Sequence, residues 1–510
     1  SSSGESSSSG ESSSSGESSS SGEGSSSGES SSSGESSSSG ESSSSGESSS
    51  SGESSSSGEG STSGEGSASG ESDPKPSNVN GAPAVAAPAA VAPTSEGNAS
   101  GSSSASGENN DPAASEAEAP VLLTAPAGSA VSSSAAKIGQ KSYDTLEDAI
   151  KAANESEEVI LQKDHEGGVV ELVRSIILNL GGHKIINTNS GEAAIVVKPD
   201  ATTGETLDVT IKNGTVTGGE DSGIRIEGSE TVTPTVTLKD LTITDNTGTH
   251  GGGVHIESGN VTIDGCTITE NEAAGNGGGV YVTDDSTVAV VGGEISSNTS
   301  TGVEQTASGG GGLYTNNSTV TLDKVTITGN QTINDSRNDG GGVLAVGSDL
   351  TITGSTITEN TAPDCGGGLF LSHTNANITG STIEGNQSKY GAGVYLNDSP
   401  DTAEADCTGS HTHNITGTEI NHNTASSIGG GMYVGTKSNV TITGSTLDGN
   451  AATDKTGGQG GAIVAYGAGD ITLDSTTITN NDAAVGGGLF SLGVAVSDTH
   501  ITLRNNTKFT

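Results

Sequence analysis

The sequence predicts an all-β chain: a parallel β-helix solenoid with a short N-terminal capping helix, behind a long disordered tail. Three observations predict it. A decapeptide returns almost unchanged, as TIDGCTITEN at 262–271, TITGSTITEN at 351–360 and TITGSTLDGN at 441–450. Glycine-rich starts of strand-like runs recur at spacings of roughly 25 to 38 residues, and such a period marks stacked repeats. Residues 1–72 are almost wholly Ser, Gly and Glu.

Composition sets the limits. The 510 residues carry 18 Lys plus Arg against 63 Asp plus Glu, a formal net charge of -45. Nucleic acid and anionic membrane are therefore repelled. Hydrophobic residues make up 28% of the chain, aromatics only 2%, and Trp is absent, so much of the chain cannot be an ordinary globule. Three cysteines, an odd number, make no disulfide framework. No apolar stretch is long enough to span a bilayer. The start SSSGESSSSG has no Met or leader, and the end ITLRNNTKFT sits inside a strand-like pattern. Both suggest a piece of a longer precursor, so export signals are not readable here.

The elements follow in order. In residues 1–72 Glu recurs every six residues, from Glu5, Glu11 and Glu17 to Glu65 and Glu71, and the first basic residue is Lys75. Ser and Gly bury no apolar surface and like charges repel, which predicts a disordered anionic tether. Its regular serines are candidate modification sites, against the simpler reading of a plain spacer. Residues 73–141 change to an Ala/Pro/Ser-rich linker, stiffer but unfolded. As a flexible coil, a segment of about 140 residues has an end-to-end distance of roughly 60–70 Å.

Residues 142–190 form the N-terminal cap and the first strands. In SYDTLEDAIKAANES, Asp144 precedes Glu147 in a capping-box spacing. Tyr143, Leu146, Ile150 and Ala153 share one helical face, predicting a helix of about ten residues. The β-branched runs EVILQK, VVELV, SIILNL and KIINT are strands. A helix over the first coil blocks its unpaired edge.

Residues 191–510 are the repeats. Each unit holds glycines with an aliphatic pair (Val254/Ile256, Val280/Val282, Leu369/Leu371, Val394/Leu396), then a TVTI-like run (Ile263, Leu322, Ile352, Ile442), then an STIT-N run (Ile268, Ile295, Ile327, Ile357, Ile383, Ile420, Leu447, Ile478). One unit cannot bury these side chains, but stacked coils can, each aliphatic resting on its equivalent. Three strands per coil and about eleven coils at ~4.8 Å predict a rod roughly 50 Å long. Asn246, Asn271, Asn298, Asn330, Asn360, Asn386, Asn423, Asn450 and Asn481 close the third run. Asn tolerates turn conformations and its amide bonds the next along a stack, predicting a structural ladder at one corner.

The units GGGVYV…STVAVVGGEISSN and GGGMYV…SNVTITGSTLDGN resemble the right-handed parallel β-helix repeats of large bacterial surface proteins, including autotransporter passengers, polymorphic outer-membrane proteins and wall-anchored adhesins. DTLEDAIKAANESEEVILQKD is similar to the helix and strand that open such domains. The resemblance covers about residues 142–510. It implies the handedness and a surface-displayed rod, although one fold hosts many functions. The chain departs from the polymorphic family: GGAI occurs at Gly460–Ile463, but no FxxN follows. In GGQGGAIVA, Ala462 stands where a calcium-binding nonapeptide repeat needs Asp.

Strand parity supplies the main candidate site. The residue between each aliphatic pair faces outward, giving the row His255, Tyr281, Tyr314, Leu344, Phe370, Tyr395, Tyr433, Ile463 and Phe490. Its six rings, Tyr281, Tyr314, Phe370, Tyr395, Tyr433 and Phe490, form an external stripe able to stack on sugars or partner side chains. Stacking along the sheet for stability alone is the alternative. The longest corner, 397–413, carries Asp406, Cys407, His411 and His413, with His422 nearby; Cys407, His411 and His413 are a weak metal set without a specific spacing. Cys365 and Cys407 lie one coil apart and are a possible pair in an oxidising compartment. Cys266 shares its facing with Ile268 and is a core residue. Sequons such as Asn317-Ser318-Thr319 arise from the Asn and Thr content itself.

Polysaccharide-acting enzymes share the fold and need carboxylates beside Arg or Lys. Here Arg174, Arg225, Arg337 and Arg504 are scattered, and no acid pair is expected in adjacent coils. Outward Thr rows are too often interrupted for ice binding. The expected function is therefore a non-enzymatic, secreted or cell-surface, adhesin-like binding rod. It needs no cofactor, is a monomer, does not bind nucleic acid, and has a host-surface or extracellular glycan or protein as partner. A glycan-acting β-helix enzyme is the alternative.

Overall fold

The computed structural model describes residues 134–200, 206–302, 308–333, 338–398, 411–493 and 499–510, and traces eight short serine segments between Ser14 and Ser56. The serine segments pair in parallel with one another three Glu repeats apart, as Ser14 does with Ser32 and Ser37 with Ser55. Ser, Gly and Glu give such pairs no apolar surface to bury. The expected tether and linker otherwise lie outside the described residues as far as Ser134.

Order begins before the expected boundary at 141. Ala136–Ile138 pairs antiparallel with both Lys141–Tyr143 and Glu157–Leu161. The helix spans Leu146–Ala152, and its cap is Thr145, whose hydroxyl accepts from the Asp148 amide at 3.1 Å. The capping pair is thus Thr145/Asp148, one residue later than Asp144/Glu147. Leu146, Ala149 and Ile150 are buried against the first coils, so the helix closes the N-terminal end of the core.

Every later coil repeats one path. The run after the glycines builds a parallel sheet of twelve strands, from Val170–Leu172 to Leu489–Leu492. The second and third runs form two more faces. In Asp208–Thr217 and Thr235–Thr244 they are single ten-residue strands, carried round the corner by left-handed Asn213 and Asp240. Most coils add a short fourth strand beyond the expected three, such as Gln387–Tyr390 and Thr424–Ile428. The described residues from Ser134 onward form an all-β right-handed solenoid of about eleven turns with one short helix among them.

The glycine triplets follow from close stacking. Gly277 has φ +67, and a Cβ on Gly278 or Gly279 would sit 2.5 or 2.6 Å from the Gly311 or Gly312 carbonyl of the next coil. The aliphatic residues of all three faces fill one continuous core, including the column Ile268, Ile295, Ile327, Ile357, Ile383, Ile420 and Leu447. Stacking like on like is what makes the repeats faithful: each coil meets the same neighbours above and below.

Two polar ladders line the corners. Asn246 to Asn481 run in one column, each Nδ2 donating to the next Asn Oδ1 at 2.9–3.0 Å. The amides also donate to carbonyls of the preceding coil, as Asn360 does to Ile327 at 2.9 Å. The left-handed residue at this corner is the one before the Asn, for example Glu359 or Gly385. The Asn is therefore held by its amide chemistry and not by a turn preference. The second ladder sits between the second and third faces. Ser355 Oγ accepts from Val325 N, Ser381 Oγ from Ser355 N and Ser445 Oγ from Thr418 N, each at 3.1 Å.

Candidate functional site

On the outer side of the glycine-led sheet, successive strands place Arg225, His255, Tyr281, Tyr314, Leu344, Phe370, Tyr395, Tyr433, Val464 and Phe490 in register. Val464, not Ile463, holds the outward place: Ile463 pairs with Met432 and lies in the main core. Ala462 stands in the place of the third glycine and the register is unbroken, so Ile463 aligns with inward Met432 and Val464 with outward Tyr433.

The row is not the bare track that parity alone suggests. Tyr314, Phe370 and Tyr395 are each only 7% exposed, while Tyr281, Tyr433 and Phe490 are half-buried. The rings cover one another: Tyr281 stacks on Tyr314 at 5.2 Å, Phe370 on Tyr395 at 5.0 Å, and Tyr395 on Tyr433 at 4.6 Å. Cys365, Tyr390 and Ile428, at or beside the fourth-strand corner, join them in a second apolar cluster. Through most of its length the stripe is packing.

Its N-terminal end differs. There the His250 ring stacks on Tyr281 at 4.7 Å, and a cavity of about 330 Å³ opens among His250, His255, Glu257, Tyr281, Thr283, Asp284, Asn316 and Asn317. The corner residues Asp284, Asp285 and Asn317 are left-handed. His255 Nδ1 donates to the His250 carbonyl at 3.2 Å, because a carbonyl can only accept. The Asn276 amide donates to His250 Nδ1 at 3.1 Å. Burial, reinforced by the Arg225 charge, pushes the His255 pKa down to about 4. His255 is thus neutral near pH 7, with the Nε2 lone pair 3.7 Å from Glu257 Oε2.

Arg225 lies one coil below. It is ion-paired to Glu227, to Glu257 at 3.5 Å and to Asp221 at 3.6 Å. Burial opposes its charge, but Glu227 and the other two carboxylates outweigh that and raise its pKa. Glu227 and Glu257 are register partners on neighbouring strands. An acid pair in adjacent coils beside an arginine is therefore present, contrary to expectation. The sequence signal was IRIE at 224–227 aligned on VHIE at 254–257.

The histidine corner is a core feature. His413 takes an inward place between Ala376 and Val440, and is 1% exposed. Its Nε2 meets Asp398 Oδ2 at 3.1 Å, His411 Nδ1 lies 3.5 Å from Asp398 Oδ1, and the His373 amide donates to Asp398 Oδ1 at 2.8 Å. Burial raises the Asp398 pKa, but the hydrogen bond from His413 and the nearby histidines hold it below its usual value. Among the described residues no three His, Cys, Asp or Glu groups could hold a metal ion. Cys407 lies outside the described residues, and so does any pairing with Cys365. His422 stands apart, 3.2 Å from Glu384. Cys266 is 2% exposed, and burial pushes its thiol up to about 11.

No helix among the described residues is long and apolar enough to cross a membrane. The family model described as the right handed beta helix region matches residues 193–308 and 222–410. No curated protein and no solved structure matches the chain. The matched segments and the solenoid around them agree, and the chain is a right-handed parallel β-helix repeat protein.

Proposed function

We propose that this β-helix is a secreted or cell-surface, adhesin-like rod, carried on its Ser/Gly/Glu tether, that binds an extracellular saccharide in the pocket at Tyr281. One observation carries the reading: the ring column, closed by stacking elsewhere, ends at His250 in a cavity rimmed by carboxylate, amide and hydroxyl groups. Concave sites with an apolar wall and a few polar groups are where small ligands bind. The acidic surface and the anionic tether argue against nucleic acid as partner. The test is a glycan array probed with the whole chain and with Tyr281→Ala. Binding lost in the variant, with circular dichroism unchanged, supports the pocket. Binding retained in full places the ligand elsewhere.

A second reading, a glycan-acting enzyme, is favoured by the Glu227–Glu257 pair around Arg225. Paired carboxylates supply general acid and base. Release of reducing ends or unsaturated products from a polysaccharide panel, abolished by Glu257→Gln, would replace the binding-only reading.

A further inference from the structure

We propose that the pocket prefers a cationic amino sugar, a saccharide bearing a primary ammonium, over neutral or acidic saccharides; this rests on the saccharide reading above. Charge argues first. Glu257 and Asp284 line the cavity and Asp221 and Glu227 stand behind it around Arg225, with Lys198 in electrostatic reach of Glu227: four carboxylates against two cations. His255 adds no positive charge near neutral pH, since burial keeps its ring uncharged. The local field attracts a cation.

Hydrogen-bond inventory argues second, and independently. His255 Nδ1–H is committed to the His250 carbonyl, so Nε2 is an acceptor. It faces the Glu257 carboxylate at 3.7 Å, and that group is also only an acceptor. No proton of the protein lies between them while the ring is neutral. Asn316 Oδ1, at the same cavity, is buried and has no hydrogen-bond partner among the described residues. A buried acceptor without a donor is costly. An ammonium offers three N–H donors and a charge, and can serve Nε2, the Glu257 carboxylate and a third acceptor together. A carboxylated sugar brings more acceptors and more negative charge to the same place. An N-acetylated sugar brings one amide N–H and no charge.

The experiment is calorimetric titration of the whole chain with fully deacetylated chitotetraose, N-acetylated chitotetraose and a tetralysine peptide, at a pH where the amines are protonated. The deacetylated tetramer should bind at least roughly tenfold more tightly than the acetylated one, the scale of one charge-assisted hydrogen bond. Glu257→Gln and Asp284→Asn should each weaken it about tenfold, whereas Asp470→Asn, in a late coil, should change nothing. Asp284 is exposed and left-handed, a position that Asn tolerates, so this variant tests the idea even if the Glu257 change disturbs Arg225. Equal or tighter binding of the acetylated tetramer overturns the cationic preference and leaves the saccharide reading standing. Binding of neither tetramer, with the fold intact, overturns both. Tetralysine binding that depends on both carboxylates, with no tetramer binding, overturns the proposal in favour of a peptide ligand.

Discussion

Replacing Asn360 by Ala removes one rung from the middle of the asparagine ladder. Four hydrogen bonds go with it: Nδ2 to Ile327 O and Asn386 Oδ1, and Oδ1 from the Asn330 amide N and Nδ2. Asn330 Nδ2 keeps Ile295 O, and Asn386 Oδ1 keeps the Asn360 backbone amide. The Asn330 backbone N–H is left buried without its acceptor, at about 1–3 kcal/mol, and the remaining bonds add about 1 kcal/mol or so together, giving roughly 3 kcal/mol. Asn360→Asp should cost more near neutral pH. It keeps the acceptor but sets an oxygen against Ile327 O and Asn386 Oδ1, an unpaired charge at a position 0% exposed. That extra cost should shrink in acid, where the carboxyl regains a donor. Asn481→Ala, at the half-buried end of the ladder, should cost about half as much. The assay is urea unfolding followed by circular dichroism, with hydrogen exchange reporting the coils on either side. If Asn360→Ala costs no more than an exposed Thr change, under about 0.5 kcal/mol, the ladder does not hold the stack.

Further outcomes follow from burial and titration. Ile357→Asp, inside the core, should cost several kcal/mol, and half-buried Thr356→Asp less than about 1 kcal/mol; equal effects would invert the strand parity. Tyr395→Ser should destabilise by about 3 kcal/mol, because the ring is buried between Phe370 and Tyr433; a neutral result would mean the column is solvent-exposed after all. For His255, the folded pKa of about 4 lies below the ordinary value of 6.5. As pH falls from 6.5 towards 4 the unfolded chain gains a proton that the folded one refuses. Stability should drop by about 1.4 kcal/mol per unit, roughly 3 kcal/mol in all. His255→Phe should remove that part of the slope in denaturation midpoints measured across this range. Limited proteolysis should digest residues 1–133 and leave a resistant body from near Ser134; a protected fragment within 1–72 would refute the tether.

Much of the architecture was legible because a solenoid writes its contacts into its own period. Ile357 rests on Ile327 and Ile383, so a residue's neighbours are its copies one repeat away. Parity, the inward columns, the Asn column and the capping helix could all be read that way. The reading failed where a single residue broke the period. THNIT puts His413 where NVTIT has Val440, and in GGAIV, where Ala462 replaces a glycine, the outward place assigned to Ile463 belongs to Val464. The hydroxyl ladder was present in the recurring S/T of GSTIT, but its hydroxyls could be assigned acceptor roles only once the corner geometry was known.

The sequence by itself determined the stacked parallel strands, the facing of most side chains and the anionic, apolar-poor tail, since all of these depend on local pattern and its repetition. Tertiary structure alone decided how exposed the aromatic row is, because the covering residues Cys365, Tyr390 and Ile428 come from corners of variable length. It also decided that Asp398 meets His411 and His413 in a core network, and that the Glu227–Arg225–Glu257 cluster stands beside the pocket that His255 and Glu257 line. Those meetings set charge against burial across different coils, and a repeat period carries no information about where the chain departs from it.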